Sequence, residues 1–520
     1  MTADSAAADP VDAEVVVYAA TSAGVCAAVA AAEAGASVLL LEPGRHVGGM
    51  TSGGLGYTDV GDVRVLGGMA ARFRQDVADR YGVPVGRYAG PEPHVAEQIF
   101  LRWLEHPRIR VVTGCAVRSA EVRGARIVSV TSGDGRSYRG GVFVDASYEG
   151  DLMALAGVPF AVGREGRDRY GERWAGRQEL LPGRHTMPPF VSPFVGDPEG
   201  LVEGEILPQI RSAPLARVGA GDGGVMAYGY RVCLTTVPDR VPFPRSDGYD
   251  DKHWELGRRL FHHWARQGYE PPAAALIGLE PNLPNGKCDG NSLGPFSLNV
   301  LDGSAWEYPC ADPARRDQLR AHHRDHTGDF LWFLANDPAV PASVRAELAR
   351  WGLPADEFTD TGHLPHQLYV REARRMIGEY VLTEHDLVRA WTQYDVVAMG
   401  SYHLDVREVQ RVWRWVPEHP RPVAMVFNEG YLSVPVPPYP IPYRSLVPRY
   451  ADCVNLLVPV CVSASHVAFS SIRMEPQYQM TGHVAGLAAV LALRDDRPVQ
   501  AVDVPLLQSR LRDAGQVLSL

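Results

Sequence analysis

A single carboxylate, Glu42, directly follows the apolar run at residues 38–41, and an alanine-rich segment at residues 22–34 precedes that run. With the apolar residues 15–17 before them, these segments have the order strand, turn, helix, strand. A parallel strand ending at residue 41 would present Glu42 at the carboxyl edge of a sheet, where an acidic residue binds a ribose hydroxyl. The chemistry that these residues predict is therefore the binding of a dinucleotide.

The turn between the first strand and the helix departs from the Gly-x-Gly-x-x-Gly pattern of dinucleotide-binding turns. Ala19 and Thr21 occupy the first two glycine positions, and only Gly24 retains glycine. Gly24 would let the helix and the strand pack closely, and the Thr21 hydroxyl would donate to a pyrophosphate. Ser22 and Ala23 are predicted to contact the same ligand. On the glycine positions alone, a strand-helix-strand pair without a nucleotide explains the turn equally well.

A loop of small and polar residues follows Glu42 and separates these two interpretations. FAD continues past its pyrophosphate and needs a tight polar cradle, whereas a NAD site does not need such a loop. The loop therefore favours FAD. Its residues are Pro43, Gly44, Arg45, Gly48, Gly49, Met50, Thr51, Ser52, Gly53 and Gly54.

With this loop, the stretch 14–54 resembles the FAD-dependent oxidoreductases of the glutathione-reductase-like fold. The resemblance is to the branch described as FAD-dependent oxidoreductase or, in older descriptions, xanthan lyase. That branch carries a GGTxAG turn, so Thr21 is expected and Ala19 is the departure of this chain. The resemblance implies FAD as the cofactor and an α/β fold, in which a Rossmann domain with a parallel sheet carries an inserted α+β substrate domain.

Two later motifs also resemble the branch or the fold. In VFVDASYEGD, residues 142–151, the resemblance implies that Ala146, Gly150 and Asp151 lie against the cofactor. In IRVVTGCAVRSAEV, residues 109–122, it implies that the backbone near Val117 reaches the adenine. Small residues at these places would permit the close approach of a ligand.

A second glycine-bearing helix is predicted near the end of the chain. Gly482, Ala485 and Gly486 lie in its early turns, so the helix could come close to a flat ring. Its N-terminus would stabilise the negative charge of a reduced flavin near the pyrimidine edge. Arg473, which precedes this helix, is predicted to bind the cofactor as well.

The composition of the chain changes near residue 163. We predict that residues 1–165 and 438–520 are two parts of one FAD-binding domain and that residues 166–437 form a substrate domain. Five polar stretches within or at the end of this insertion would supply the hydrogen-bonding wall of a pocket for a small polar molecule. They are residues 229–235, 283–297, 360–380, 399–405 and 427–430.

Four residues are the candidates for catalysis and substrate binding. His466, just before the C-terminal helix, is the first candidate for a base, and its alternative role is a structural hydrogen bond. Arg231 and Arg371 would hold an anionic or polar substrate group, or would form structural ion pairs. His363 pairs with His366, but Pro365 argues against the helix that a metal site would need at this spacing, so we predict pocket residues and no metal.

We predict an enzyme in which the flavin accepts a hydride from a C–H bond next to a hydroxyl or an amine. Such an enzyme would be a dehydrogenase or an oxidase. Its electron acceptor could be oxygen, NAD(P) or a protein. The alternatives are a monooxygenase that uses NAD(P)H and a lyase or isomerase in which the flavin undergoes no net redox change.

The composition excludes several classes of partner. The chain has 520 residues, a net charge of −10 and no basic run, which argues against nucleic-acid binding. No apolar stretch is long enough for a bilayer and the N-terminus is acidic, so we expect a cytoplasmic protein without a membrane partner. The seven cysteines never have C-x-x-C spacing, which argues against a redox dithiol or an iron–sulfur cluster.

Overall fold

The computed structural model of the protein describes residues 11–88, 90–180, 185–417 and 421–520. The strands are β1 (Val11–Tyr18), β2 (Val38–Leu41), β3 (Ile109–Val112), β4 (Val117–Arg123), β5 (Arg126–Ser132), β6 (Ser137–Asp145), β7 (Phe160–Ala161), β8 (Val232–Thr235), β9 (Lys287–Gly290), β10 (Arg375–Met376), β11 (Val396–Gly400), β12 (Leu404–Val406), β13 (Gln410–Val416), β14 (Val423–Glu429), β15 (Leu432–Val434), β16 (Tyr439–Pro442) and β17 (Leu456–Leu457). The helices are α1 (Ser22–Glu33), α2 (Gly68–Tyr81), α3 (Pro93–Leu104), α4 (Asp151–Leu155), α5 (Arg167–Tyr170), α6 (Glu255–Arg266), α7 (Ser304–Glu307), α8 (Pro313–Asn336), α9 (Ala342–Leu348), α10 (Glu384–Arg389), α11 (His466–Ile472), α12 (Glu475–Arg494) and α13 (Val504–Asp513).

A seven-stranded sheet forms the framework of the molecule. Its strand order is β3-β2-β1-β6-β5-β4, and β17 pairs with β6. The pairs of β1 with β2 and β6, of β2 with β3 and of β6 with β17 are parallel, whereas β4, β5 and β6 are joined by antiparallel pairing. The register aligns Tyr18 with Leu41 and with Asp145, so three strands end at one edge. This mostly parallel sheet confirms the predicted Rossmann fold.

Helix α1 is rich in alanine because it is buried between the sheet and α12. A Cβ atom on Gly24 would lie 1.9 Å from the carbonyl oxygen of Ala19. On the other side, a Cβ on Gly482 would lie 2.2 Å from the Ala23 carbonyl oxygen, and one on Gly486 would lie 2.3 Å from that of Ala27. The small residues therefore permit backbone contact on both faces of α1.

This packing corrects the interpretation of the small residues in α12. The sequence predicts that Gly482, Ala485 and Gly486 contact the flavin. Gly482 and Gly486 instead face α1, and none of the three lines the cavity at the sheet edge that is described below. We assign the two glycines to the packing of α12 against α1.

Ala19 adopts a backbone conformation that favours glycine. Its φ angle is +70° at the first position of the turn fingerprint. A left-handed conformation costs a residue with a side chain about 1–2 kcal/mol, and the greater unfolded entropy of glycine offsets part of that cost. We therefore expect Ala19→Gly to raise the free energy of unfolding by about 0.5–1 kcal/mol in denaturant titrations.

A matched control for this prediction is Ala71→Gly, on an exposed position of α2. This substitution is expected to lower the free energy of unfolding by about 1 kcal/mol, because glycine is a poor helix former. A loss of stability in both variants would contradict the strain that we assign to Ala19.

The middle of the chain has a second core of its own. Trp254 lies at its centre and stacks on Phe333 at a ring-centroid distance of 5.1 Å. Helices α6, α8 and α9 and several two-stranded sheets surround it, which agrees with the predicted α+β insertion. The boundaries at 165/166 and 437/438 stay a proposal, since β7 pairs with β10 and β11 pairs with β16 across them. None of the helices in the described ranges combines the length and the apolar character needed to cross a bilayer.

Candidate functional site

A cavity of about 870 Å³ lies at the edge of the sheet where β1, β2 and β6 end. Its volume is in the range of ligand and cofactor pockets, about 300–1,000 Å³. The β1–α1 turn, the loop after β2, the start of β4 and the segment after β6 all contribute to its wall. Seven predicted cofactor residues line it: Thr21, Glu42, Pro43, Arg45, Gly49, Val117 and Asp151.

Glu42 lies in this wall with both carboxylate oxygens engaged. Oε2 accepts the backbone N–H of Ala20 at 2.6 Å, and Oε1 accepts that of Gly44 at 2.6 Å. Burial raises the pKa of Glu42 to about 7, although the two backbone N–H groups oppose that shift. A carboxylate has about four acceptor sites, so Glu42 can still accept a ribose hydroxyl.

We expect Glu42→Gln to weaken FAD binding about 10-fold or more, because the amide NH₂ would face a backbone donor and only one acceptor atom would remain. The quenching of flavin fluorescence on binding measures the change. Glu33→Gln is the matched control, because Glu33 is exposed at the C-terminal end of α1 in the same β-α-β unit and pairs with Arg72. Equal affinities in the two variants would contradict the role of Glu42.

Thr21 differs from the prediction in the use of its hydroxyl group. Oγ1 accepts the backbone N–H of Gly24 at 3.2 Å and donates to the carbonyl oxygen of Ala146 at 2.8 Å. The hydroxyl therefore caps α1 and joins it to the end of β6. Because its hydrogen is already donated, it is not the pyrophosphate donor that the sequence analysis proposed.

Three hydroxyl groups meet at Glu475, which is not among the predicted site residues. Its carboxylate accepts the hydroxyls of Ser22 at 2.5 Å, Thr51 at 2.6 Å and Tyr148 at 2.8 Å. The Tyr148 hydroxyl in turn accepts the backbone N–H of Met50 at 2.8 Å. Burial raises the pKa of Glu475. These bonds fasten the start of α12 to α1, to the segment after β6 and to residues 43–54, which we call the glycine loop.

Three predicted cofactor glycines have positive φ angles that a turn requires. These angles are +97° at Gly48, +57° at Gly49 and +67° at Gly150. A Cβ on Gly49 would lie 2.3 Å from the Tyr148 hydroxyl, and one on Gly48 would lie 2.5 Å from the ring of Phe100. Only Gly49 of these three lines the cavity, so Gly48 and Gly150 shape the wall from behind.

Three arginines in the cavity wall come from sequence regions that were not predicted to bind the cofactor. Arg316 and Arg320 lie on α8, and Arg374 directly precedes β10. Asp151 joins two of them, because its carboxylate accepts Arg316 Nη1 at 2.7 Å and Arg374 Nη1 at 2.8 Å. Guanidinium groups in this position suit a pyrophosphate. The i, i+4 spacing of Arg316 and Arg320 was the available signal.

The cavity wall also contains two stacked histidines, His46 and His366. Their ring centroids are 4.0 Å apart. His46 Nδ1 lies 3.1 Å from Glu97 and Nε2 lies 3.0 Å from Asp360, and the hydrogen bond to Glu97 raises the pKa of His46. Burial lowers the pKa of His366 to about 4, and neither of its ring nitrogens bonds to a described residue. His366 therefore contributes to the wall a buried ring whose low pKa favours the neutral form.

His363 lies outside the cavity wall. Its φ angle is +64°, and its Nδ1 lies 3.0 Å from the carbonyl oxygen of Glu357. Residues 363–366 form no helix, which agrees with the effect predicted for Pro365. Of the predicted histidine pair, the structure therefore brings His366 and not His363 to the cavity.

His466 is the first residue of α11 and is buried beside Glu372. Its Nδ1 lies 2.8 Å from Glu372 Oε1, and its backbone N–H donates to Glu165 Oε2 at 2.9 Å. Arg375 joins the two carboxylates by donating to both of them. His466 does not itself line the cavity, but Glu372 belongs to the segment 367–374, which contributes Gln367, Leu368 and Arg374 to it.

The three remaining predicted residues lie near Tyr369, also outside the cavity wall. Arg231 forms a buried ion pair with Asp289. Arg473 Nη2 donates to the carboxylate of Asp405 at 3.0 Å, so Arg473 is engaged by the protein. Arg371 is buried and donates to the carbonyl oxygen of Ala227. Arg231 and Arg473 therefore form structural ion pairs within the protein.

Comparison with known proteins identifies the family of this chain. The family model described as FAD dependent oxidoreductase matches residues 14–511, nearly the whole chain. The chain belongs to this family. The protein is therefore an FAD-dependent oxidoreductase, and the cavity with Glu42 at one side and several arginines in its wall fits FAD.

Three solved structures resemble parts of this oxidoreductase. Thioredoxin reductase from T. acidophilum is 21% identical over 26% of this chain and 34% of its own, with a TM-score of 0.18. L-proline dehydrogenase from P. horikoshii is 17% identical over 30% and 59%, with a TM-score of 0.24. L-amino acid deaminase from Proteus vulgaris is 16% identical over 30% and 53%, with a TM-score of 0.24. The matches thus span less than two thirds of each of these chains, and a search of the curated proteins found no match.

One cluster of potential metal ligands lies in the described part of this oxidoreductase. Ligand atoms of Glu92, His94, Asp356 and Glu357 lie within 4.8 Å of one another. However, the ammonium group of Lys287 lies 2.7 Å from a carboxylate oxygen of Glu92, Asp356 and Glu357. Because Lys287 already supplies the positive charge and the hydrogen-bond donors, we assign these residues to a structural ion-pair cluster.

Proposed function

We propose that this oxidoreductase removes a hydride from a C–H bond next to a hydroxyl or an amine of a small polar substrate, as a dehydrogenase or an oxidase does. Bound FAD would supply the hydride acceptor. His466 would take the proton of the hydroxyl or amine group. A cytoplasmic location stays a prediction from the sequence.

The observation that carries this proposal is the pair of His466 and Glu372. A carboxylate only accepts hydrogen bonds, so Nδ1 of His466 carries the hydrogen in the 2.8 Å contact. The neutral ring then has its lone pair at Nε2, for which no hydrogen bond to a described residue is found. A buried imidazole that is fixed by a carboxylate and free at its other nitrogen has the arrangement of a general base.

The residues of the cavity wall would hold the cofactor. Glu42 would accept the ribose hydroxyl, Val117 would lie beside the adenine, and Arg316 and Arg374 would face the pyrophosphate. The glycine loop would hold the ring end of the cofactor, next to the segment that carries Glu372. This direction would bring the reactive end toward His466.

Anaerobic mixing of the FAD-loaded enzyme with candidate alcohols, sugars, amines, hydroxy acids and amino acids tests the proposal. Loss of the visible flavin absorbance with one of them supports hydride transfer. Peroxide formation on admission of air would identify an oxidase, and its absence a dehydrogenase. Bleaching by NAD(P)H alone would favour a monooxygenase. Turnover of a substrate without any absorbance change would contradict the proposal in favour of a lyase or isomerase.

A further inference from the structure

Arg371 differs from the other buried arginines near the site in having no carboxylate partner. Arg231 pairs with Asp289, Arg375 with Glu165 and Glu372, and Arg473 with Asp405. Arg371 is only 4% exposed, and its one hydrogen bond to a described residue goes to the carbonyl oxygen of Ala227. Burying a charge without a partner is costly, so the protein keeps a cation here at the expense of stability.

The surroundings of Arg371 contain two further positive charges and compensate its own charge only in part. The titratable groups that act on Arg371 are Tyr369, Arg407, Arg473 and Glu408. Glu408, the one carboxylate among them, accepts a hydrogen bond from Asn299 Nδ2 at 3.1 Å and lies 3.6 Å from Arg407 Nε and 3.0 Å from His185 Nδ1. Burial, together with the two neighbouring arginines, lowers the pKa of Arg371 to about 9.

Arg411 shows what a buried arginine without a carboxylate needs when its role is structural. Its guanidinium donates to Asn428 Oδ1 at 2.9 Å, to Gln209 Oε1 at 3.1 Å and to the Pro295 carbonyl oxygen at 3.0 Å. Neutral oxygens therefore take up the donors of Arg411 on three sides. Arg371 has one such acceptor, and its remaining donors fit a ligand that brings its own oxygens.

The surroundings of Arg371 are connected to the cofactor site in two ways, by adjacency in the chain and by contact with the glycine loop. Tyr369, whose ring centroid lies 4.4 Å from the Arg371 guanidinium carbon, directly follows the cavity residue Leu368 in the chain. In the glycine loop, a Cβ on Gly54 would lie 2.3 Å from the carbonyl oxygen of Arg231, whose guanidinium faces the same tyrosine ring at 5.8 Å. Arg371 also directly precedes Glu372, which fixes the proposed base.

We propose that Arg371 binds a carboxylate of the substrate, so that the enzyme acts on small hydroxy acids or amino acids. This inference rests on the proposed oxidation and narrows its substrate class. Pairing of two guanidinium donors with two carboxylate oxygens would both compensate the buried charge and fix the orientation of the substrate. The Tyr369 ring beside Arg371 would form part of the same subsite.

Binding of acids and of their amides to the FAD-loaded enzyme tests this inference. The probes are 2-hydroxy and 2-amino acids of increasing length and the corresponding primary amides, and binding is followed by the perturbation of the oxidised flavin spectrum. The acids are expected to bind about 10- to 100-fold more tightly than the amides, as the loss of a charged hydrogen bond implies. Equal binding of acids and amides, or no response to any acid, would overturn the inference without the need for a variant.

Two variants then test the residue. Arg371→Met should weaken acid binding by about the same 10- to 100-fold factor and leave amide binding and FAD affinity unchanged, while Arg371→Lys should lose part of that factor because it keeps the charge without the fork. Unchanged acid binding in a folded Arg371→Met would contradict the assignment. An equal loss of FAD affinity would make a phosphate of the cofactor the partner instead. Tight acid binding without flavin reduction would leave the carboxylate subsite intact and refute only the proposed oxidation.

Discussion

Replacing His466 with asparagine is expected to slow anaerobic flavin reduction by the substrate about 10²- to 10⁴-fold, the contribution typical of a positioned general base. Asparagine keeps a polar side chain beside Glu372 but has no lone pair at the position of Nε2 that could take a proton. FAD affinity should not change, because His466 lies outside the cavity wall. Stopped-flow measurement of the flavin absorbance gives the rate, and fluorescence titration gives the affinity.

Two further variants separate proton transfer from structural damage. His326→Asn is the matched control, since His326 is also buried and its Nε2 lies 3.1 Å from the carbonyl oxygen of Ser297, in the second core. It should leave flavin reduction unchanged. Glu372→Gln should slow the reaction less than His466→Asn, because it removes the negative charge beside Nδ1 of His466 but keeps an oxygen that can accept its hydrogen bond. A His466→Asn rate within about threefold of the wild type would exclude the base, since general-base catalysis contributes at least about 10²-fold.

The second large effect is expected from Gly24→Ala in the first turn of α1. The added Cβ would lie 1.9 Å from the backbone oxygen of Ala19 and 3.3 Å from the Ala146 side chain. A backbone oxygen cannot rotate away as a side chain can, so α1 must shift away from β1. We expect a loss of about 1–3 kcal/mol in the free energy of unfolding, as for other overpacked sites, together with loss of bound FAD.

Gly248→Ala is the matched control for this prediction, because no atom lies within 4 Å of the position that its Cβ would take. This variant should stay within about 0.5 kcal/mol of the wild type and should retain its FAD. Thermal unfolding and the ratio of flavin to protein absorbance measure both properties. Normal FAD content in purified Gly24→Ala would show that the contact between α1 and β1 does not determine cofactor binding.

Local patterns were sufficient to predict the first β-α-β unit. The apolar run before Glu42, the length of the alanine-rich helix and the position of Gly24 are features of a short stretch, and the parallel sheet follows from them. The same patterns were ambiguous at Gly482 and Gly486. A small residue permits the close approach of either a ring or a second helix, and the local sequence does not determine which of the two contacts it.

Other features of the site depend on contacts between distant segments. Arg316 lies on α8 and Arg374 beyond it in the chain, yet both bond to Asp151 at the end of the sheet. The turn sequence predicts that Thr21 contacts a pyrophosphate. It does not show that the Thr21 hydroxyl bonds to Gly24 and Ala146 instead. The sequence does not distinguish His366 from His363, since both lie within two residues of Pro365. Such assignments require the tertiary arrangement.

The carboxylate of Glu475 has a consequence for the biosynthesis of the enzyme. Its bond to the hydroxyl of Ser22 joins residues that are 453 positions apart, and its other two donors belong to the glycine loop and to the segment after β6. A growing chain on the ribosome lacks this junction until residue 475 has been translated. The first part of the nucleotide site therefore forms without this contact while the intervening segments are made, and we expect cofactor loading to follow the synthesis of α12.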